Sequence, residues 1–345
     1  MAGQQIARML SGAWRVAPPV LDFDRNLLDG VRPQLLASGT AGLVWRKIRG
    51  DQSMTDSPVA DVFRDWYRSN ALNSARQQQA IAAIFSRLTE NKINPIIVKG
   101  WSVARLYPEL AARPVGDIDL YVAPEDRAKA EQIVRKLPDF PYHVDFEHLA
   151  LALSKDTVAS VFERSEIREL HGTPVRVLGA EDNLRLLAVH FLQHGGWRPL
   201  WLCDVAVALE NRPPQFDWKR CLGDDQIRIN WVESVLVLAH LLLGARIDDT
   251  PAADWIAEFP QWPRESILEK WGRLSIETVG QGYFPPVGSM LKPGNFIRAI
   301  RHRWDDSIRA TVEAGGRFDN SSRLPMKIRW GLKRAAQFYF PRIDR

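Results

Sequence analysis

Two aspartates one residue apart, Asp117 and Asp119, are the residues of this chain whose spacing best suits a metal site. The segment 117–122 alternates polar and apolar residues, which predicts a β-strand with one covered face. Residues two apart on a strand point to the same side, so both carboxylates can converge on a hard cation such as magnesium. A polar, solvent-facing strand edge is the alternative, because Asp-x-Asp is a common sequence.

A glycine turn precedes this pair. Gly100 lies 17 residues before Asp117 and follows a short β-branched run, Ile96–Val98, which predicts a strand buried on both faces. A glycine at a strand-to-helix turn lets backbone N–H groups approach an anion. Lys99 and Ser102 add a cation and a hydroxyl for triphosphate oxygens. The alternative is a tight turn with a surface lysine.

A third acidic position is predicted on the alternating segment 143–147, where Asp145 and Glu147 share one face of a strand. If this strand lies beside the Asp117 strand, one of the two completes a carboxylate triad. Such a triad suits two-metal nucleotidyl transfer, in which one ion activates the attacking hydroxyl and the other neutralises the triphosphate and the leaving pyrophosphate. Arg113 is predicted either to contact triphosphate oxygens or to anchor its loop through an ion pair.

The sequence pattern around these residues predicts an α+β fold, with a small mixed sheet and helices. Strands are expected at 96–98, 117–122, 143–147 and 175–178, and helices over 74–90, after Pro124, from 181, over 199–210 and over 229–244. We divide the chain into an N-terminal helical segment, a sheet-containing core, a helical segment packed on that core and a C-terminal helical, basic, Trp-rich region. Their bounds are 1–92, 93–180, 181–250 and 251–345.

Composition indicates a soluble globular protein, with 46% hydrophobic and 25% charged residues. The two cysteines, Cys203 and Cys221, exclude a disulfide framework and a cysteine-based zinc site. We expect a cytoplasmic protein without a signal peptide or a transmembrane segment, because the most apolar stretch, 234–245, is too short to span a bilayer. His190 and His194 have the i, i+4 spacing of zinc ligands, but ordinary helix packing is favoured over a metal site.

The net charge of +5 is concentrated at the C-terminus. Residues 291–345 contain 13 Lys and Arg against five Asp and Glu, a net charge of +8, so the rest of the chain carries −3. A solvated basic face is the favoured interpretation of this tail. Contact with nucleic acid or another polyanion is the second, and a membrane surface is the third, because aromatic residues are interleaved with the basic ones.

Several motifs together resemble the uncharacterised bacterial nucleotidyltransferase family of the polymerase β-like superfamily. The likeness covers roughly 25–245. The matching pieces are Val98-Lys99-Gly100, Leu106-Tyr107-Pro108, Arg113 ahead of Asp117-Ile118-Asp119-Leu120, Val144-Asp145-Phe146, and the helical block of His190, His194-Gly195, Trp197, Leu200 and Asp204.

The resemblance implies a nucleotidyltransferase-type sheet, magnesium (two ions) and an NTP substrate. It places Gly100 and Ser102 at the family's Gly-Ser-type signature, which Trp101 interrupts here. It places Asp117 and Asp119 at the metal carboxylates and Asp145 at the third. The family usually has a histidine two residues after the third carboxylate. In this chain Glu147 stands at that position and His148 comes one residue later. Glu147 is therefore the competitor of Asp145 for the third carboxylate.

The predicted activity is therefore magnesium-dependent transfer of an NMP group from an NTP to an unidentified acceptor, with release of pyrophosphate. The acceptor classes left open are a small molecule, a peptide, a protein and RNA. The alternative is a nucleotide-binding or protein-interaction module whose catalytic machinery has decayed.

Overall fold

A computed structural model describes residues 2–20, 25–137, 140–153, 157–275 and 306–339. The N-terminal part is helical. Its helices are α1 (Ala2–Leu10), α2 (Arg25–Ser38), α3 (Ala41–Ile48), α4 (Gln52–Thr55) and α5 (Pro58–Glu90). Helix α5 begins with Pro58 at its first position, and the Ser57 hydroxyl accepts from the Ala60 N–H, so that the N-terminus is capped. The sequence predicted a helical N-terminal segment, and its clearest predicted helix, 74–90, is the last part of α5.

Five strands form one mixed sheet in the order β3-β2-β1-β5-β4. The strands are β1 (Ile96–Val98), β2 (Ile118–Tyr121), β3 (Val144–Phe146), β4 (Glu166–Leu170) and β5 (Thr173–Val177). Strand β1 pairs antiparallel with β2 and parallel with β5, while β2 and β3 are parallel and β4 and β5 are antiparallel. The predicted α+β class with a small mixed sheet is confirmed.

Strand β4 is an element that the sequence interpretation missed. It is charged and mostly exposed, so its hydrophobic pattern is weak. A two-residue turn joins it to β5, and both turn residues, His171 and Gly172, have positive φ (50° and 77°). That is the geometry of a type I′ hairpin, which the His-Gly pair between two β-prone segments could have indicated.

The remaining helices surround the sheet and form the C-terminal half. They are α6 (Gly100–Ala104), α7 (Arg127–Arg135), α8 (Ala150–Leu153), α9 (Val158–Arg164), α10 (Ala180–Gln193), α11 (Pro199–Glu210), α12 (Trp218–Leu222), α13 (Gln226–Leu243), α14 (Gln261–Gly272), α15 (Ser307–Glu313) and α16 (Leu324–Tyr339). Short 3-10 turns lie at Leu110–Ala112, Pro124–Asp126 and Ala253–Glu258.

The N-terminal and C-terminal helices share one hydrophobic core. Buried side chains of α1 to α3, such as Leu10 and Leu43, join those of α10, α11 and α13 in a single cluster. Helix α5 belongs to two cores, since Phe63 lies in this cluster and Ile84 packs against the sheet. The domain bounds proposed from the sequence remain a prediction, and parts of the 251–345 region lie outside the described residues.

In the part of the chain that the structure describes, α13 is the one helix long and apolar enough to cross a membrane. By composition alone it qualifies, but 61% of that stretch is buried inside the protein, as in the core helix of a folded domain. The expected lack of a transmembrane segment stays a prediction.

Candidate functional site

The ammonium group of Lys99 lies between two carboxylates at one end of the sheet. Its Nζ is 3.0 Å from Asp119 Oδ1 and 2.6 Å from Glu147 Oε1. All three side chains are partly or largely buried, so their charges are only weakly screened by solvent. Two carboxylates held by one cation form a cation site that is occupied by the protein's own lysine.

Strand pairing explains how these three residues meet. In the antiparallel register Val98 lies opposite Asp119, so Lys99, which directly follows Val98, comes next to that carboxylate. Strand β3 runs parallel to β2, and the Glu147 N–H donates to the Leu120 carbonyl at 2.8 Å. The residue after β3 is thereby fixed to the end of β2.

Asp119 lies on the sheet face opposite to its apolar neighbours. Ile118 and Leu120 are buried in the core beneath α5, on the other face. The alternating pattern predicted for this strand is confirmed, although β2 begins at Ile118 and Asp117 precedes it. The rigid strand holds the Asp119 carboxylate in place, which is what a metal ligand requires.

The turn at Gly100 has an uncommon backbone. Lys99 has φ 51° and ψ −144°, a conformation that residues other than glycine rarely adopt, and Gly100 follows with φ 36°. A Cβ on Gly100 would lie 3.8 Å from Asp119 Oδ2 and 3.5 Å from the Asp117 carbonyl oxygen. Strain of this kind is typical of functional sites, and it brings the start of α6 against the Asp119 carboxylate.

Ser102 is buried within α6, and its hydroxyl donates to the Lys99 carbonyl at 2.8 Å. The predicted hydroxyl thus lies in the Lys99-Gly100 turn and supports its backbone. Direct contact between Ser102 and a triphosphate remains a prediction.

The structure brings Glu147, and not Asp145, to Asp119. The Asp145 carboxylate pairs with the His143 ring at 2.9 Å between Oδ1 and Nε2, and about half of its side chain is exposed. Asp117 is also exposed. Glu147 directly follows β3, and its longer side chain reaches the Lys99 ammonium. Of the two candidates that the sequence offered for the third carboxylate, geometry favours the competitor.

Burial and neighbouring charge shift the pKa values of this cluster. Burial raises the pKa of Asp119 to about 7, against the opposing effect of the nearby Lys99 charge. Burial is the largest single effect on Glu147 and would raise its pKa, but the hydrogen bond from Lys99, the Lys99 charge and the hydrogen bond with Asp119 together lower the pKa of Glu147. The Asp119 and Glu147 carboxylates likewise outweigh burial at Lys99 and raise the pKa of its ammonium. The lysine is therefore charged.

Asp119 and Glu147 are residues that could together hold a metal ion. Among the described residues, no group of three or more His, Cys, Asp or Glu side chains lies close enough together to hold a metal ion. Magnesium, however, is usually held by one or two protein carboxylates together with substrate phosphates. Asp119 and Glu147 supply two such carboxylates, and the ammonium between them marks a position where a cation is favoured.

Arg113 forms an ion pair with Asp204 inside the protein. It is buried, and its Nε and Nη2 donate to Oδ1 and Oδ2 of Asp204 at 2.7 and 2.8 Å. Its Nη1 donates to the Pro114 carbonyl, and the Tyr107 hydroxyl donates to the same Asp204 carboxylate. Of the two roles predicted for Arg113, the structure gives it the loop-anchoring ion pair, because all three guanidinium nitrogens bond within the protein.

Two histidines of the helical block lie near this cluster. The His190 and His194 rings are 4.5 Å apart between centroids, and both contact the Trp201 ring. Burial, together with nearby positive charges that include Lys99, lowers the pKa of His190 far below its usual range and lowers that of His194 to about 4. Both rings are therefore neutral near pH 7, and aromatic packing accounts for them.

Arg309 is a neighbour that sequence reasoning missed. It lies on α15, and after burial its charge is the largest influence on the pKa of His194. More than a hundred residues separate it from the site, and no local motif marks it. Only the tertiary contact of α15 with α10 reveals it.

Two comparisons relate the chain to known proteins. The sequence model of a family described as uncharacterised nucleotidyltransferase matches residues 34–148 and 141–244. One solved structure, an antigenic nucleotidyltransferase-like protein from Paracoccidioides brasiliensis, is 14% identical over 51% of this chain and 91% of its own, with a TM-score of 0.38. No protein with a curated description matches the chain.

Proposed function

We propose that this chain, which belongs to the uncharacterised nucleotidyltransferase family, transfers an NMP group from an NTP to an acceptor in a magnesium-dependent reaction. An acceptor hydroxyl or phosphate oxygen forms a bond to the α-phosphorus of the NTP. The bond from that phosphorus to the pyrophosphate oxygen breaks, and pyrophosphate leaves. The proton of an acceptor hydroxyl passes to a carboxylate or to water.

The observation that supports this proposal most directly is the Asp119–Lys99–Glu147 cluster beside the Gly100 turn. Asp119 and Glu147 would hold magnesium, and Asp117, next to the same turn, would add a carboxylate. Magnesium, when bound, neutralises charge on the triphosphate and on the leaving pyrophosphate. The number of ions stays a prediction.

Lys99 and Gly100 have separate tasks in binding the triphosphate. The lysine has three N–H donors, and it can exchange its bonds to the carboxylates for bonds to phosphate oxygens when the NTP arrives. The glycine, lacking a side chain, lets phosphate oxygens approach the backbone N–H groups of the turn. The strained turn thus holds the lysine and the backbone donors in one place before the nucleotide binds.

The test is transfer of label from the four α-phosphate-labelled NTPs to components of a cell lysate in the presence of magnesium. Wild-type protein is expected to label an acceptor with at least one NTP, and Asp119→Ala is expected to abolish the labelling. Asp65→Ala is the matched control, because Asp65 lies on α5 with a side chain 68% exposed. Equal labelling by wild type and Asp119→Ala would contradict the assignment.

A catalytically decayed nucleotide-binding module is the second candidate. It is favoured by the position of Asp145, which pairs with His143 instead of joining Asp119. Calorimetry separates the two functions. NTP binding that does not depend on magnesium, together with no pyrophosphate release in any acceptor pool, would support the decayed module.

The proposal covers four classes of acceptor: a small molecule, a peptide, a protein and RNA. Cytoplasmic location and polyanion contact by the C-terminal tail likewise stay predictions.

A further inference from the structure

We propose that the outward face of helix α16 docks onto a lipid bilayer that carries anionic headgroups. Three large aliphatic side chains on this helix are exposed to solvent: Leu324 by 54%, Ile328 by 44% and Leu332 by 67%. They are spaced four residues apart, so they form one stripe along the helix. We call these three residues the α16 stripe.

The α16 stripe is not needed to attach the helix to the rest of the protein. Trp330 is buried, and the Met326 sulfur packs against Gly316, where a Cβ would be 2.9 Å away. At 100° per residue, Trp330 and Met326 lie on the side of the helix opposite to the stripe. The helix therefore has two apolar sides, of which one packs against the protein and the other is exposed.

Basic residues border the α16 stripe on both sides. Around the helix, Lys327 lies about 60° before the stripe and Arg329 about 60° after it. The helix sequence, Leu324–Tyr339, contains no Asp or Glu. Aliphatic side chains flanked by Lys and Arg are the pattern of a helix that lies in a membrane interface, with its apolar side in the acyl region and its basic side chains on anionic headgroups.

Charge and shape favour a bilayer over other partners. A second copy of this chain docked stripe to stripe would bring two sets of basic residues together, and like charges repel. A nucleic acid would satisfy the basic residues but would leave the aliphatic stripe in water. An anionic bilayer offers both an acyl region and negative headgroups. The membrane interpretation drawn from the sequence relied on aromatic residues, among them Trp330. Because Trp330 is buried, the α16 stripe would make the apolar contact with the bilayer instead.

The experiment uses the full chain and sedimentation with vesicles. Wild-type protein is expected to bind vesicles of 30% phosphatidylglycerol in phosphatidylcholine, to bind pure phosphatidylcholine at least tenfold more weakly, and to dissociate in high salt. Ile328→Asp combined with Leu332→Asp should weaken binding to the anionic vesicles at least tenfold. Leu72→Asp is the matched control, because Leu72 is an aliphatic residue on α5 that is 65% exposed, and it should leave binding unchanged.

Three results would overturn the proposal. One is the absence of wild-type binding to the anionic vesicles, and another is equal binding by the double variant. The third is a wild-type dimer, measured by light scattering, that the double variant loses without any change in vesicle binding, because the stripe would then cover a second copy. Since the substituted side chains are exposed, circular dichroism should confirm that the double variant folds. NTP transfer is not involved in any of these readouts.

Discussion

The Asp204 carboxylate accepts two parallel hydrogen bonds from the Arg113 guanidinium, at 2.7 Å and 2.8 Å. Arg113 lies in the loop that leads to β2, and Asp204 lies on α11, in the helical block. Both side chains are almost completely buried. This ion pair therefore ties the strand that carries Asp119 to the helices that pack over the sheet.

Breaking this buried ion pair should destabilise the protein strongly. Asp204→Asn removes the charge that compensates Arg113 and keeps the size of the side chain. We expect the free energy of unfolding to fall by about 3 kcal/mol or more, because an uncompensated buried charge remains. Urea denaturation measures this change. Glu90→Gln, which breaks the exposed Arg87–Glu90 pair, should change stability by less than about 1 kcal/mol; comparable losses in both variants would contradict the anchoring role.

The third carboxylate can be identified by paired substitutions on β3. Glu147→Gln should lower the rate of NMP transfer by about 100-fold, because it removes a charge that faces the reaction centre. Asp145→Asn should keep a rate close to that of the wild type, since that carboxylate pairs with His143. Both rates are measured with the NTP that gives labelling. A larger loss of transfer rate in Asp145→Asn than in Glu147→Gln would instead identify Asp145 as the third carboxylate.

Removing the Lys99 ammonium should make the carboxylates a better cation site. Lys99→Met is expected to raise the affinity for Mn²⁺, without nucleotide, by about tenfold, because a positive charge 3.0 Å from Asp119 no longer competes. The same variant should bind NTP more weakly. Calorimetry measures both affinities, with Lys136→Met at an exposed position as the control. Unchanged Mn²⁺ affinity in Lys99→Met would show that the lysine does not occupy the cation position.

Lowering the pH should reduce the contribution of Glu109 to the free energy of unfolding. The Arg46 and Arg49 guanidinium groups and the Tyr67 hydroxyl all donate to this carboxylate. Burial opposes them, but these hydrogen bonds lower the pKa of Glu109 to about 2. The folded protein thus releases this proton more easily than the unfolded chain does. The stabilisation is present above the ordinary pKa of about 4.5 and is lost as the pH falls towards 2.

The Glu109 contribution is measured by comparing thermal unfolding of wild type and Glu109→Gln over that pH range. At pH 6 the variant should be less stable by about 1 kcal/mol, allowing for solvent screening of a partly exposed group. The difference should shrink as the pH is lowered. A difference that stays constant from pH 6 to pH 3 would show that the charge of Glu109 is not responsible.

Much of the site could be predicted because its parts are local in sequence. The β-branched run before Lys99, the glycine after it and the alternation around Asp119 each specify a strand or a turn within a few residues. They therefore placed Lys99, Gly100 and Asp119 correctly on their elements. Strand β4 was missed because its pattern is charged and its pairing depends on the neighbouring β5.

The sequence by itself determined the α+β class, the Gly100 turn and the aspartate on β2, because hydrophobic periodicity and backbone preference act over short distances. Tertiary structure alone decided that Glu147 meets Lys99, that Arg113 pairs with Asp204, and which side of α16 faces solvent. Each of these depends on contacts between residues that are far apart in the chain. Side-chain length, strand register and helix packing fix such contacts, and local patterns do not encode them.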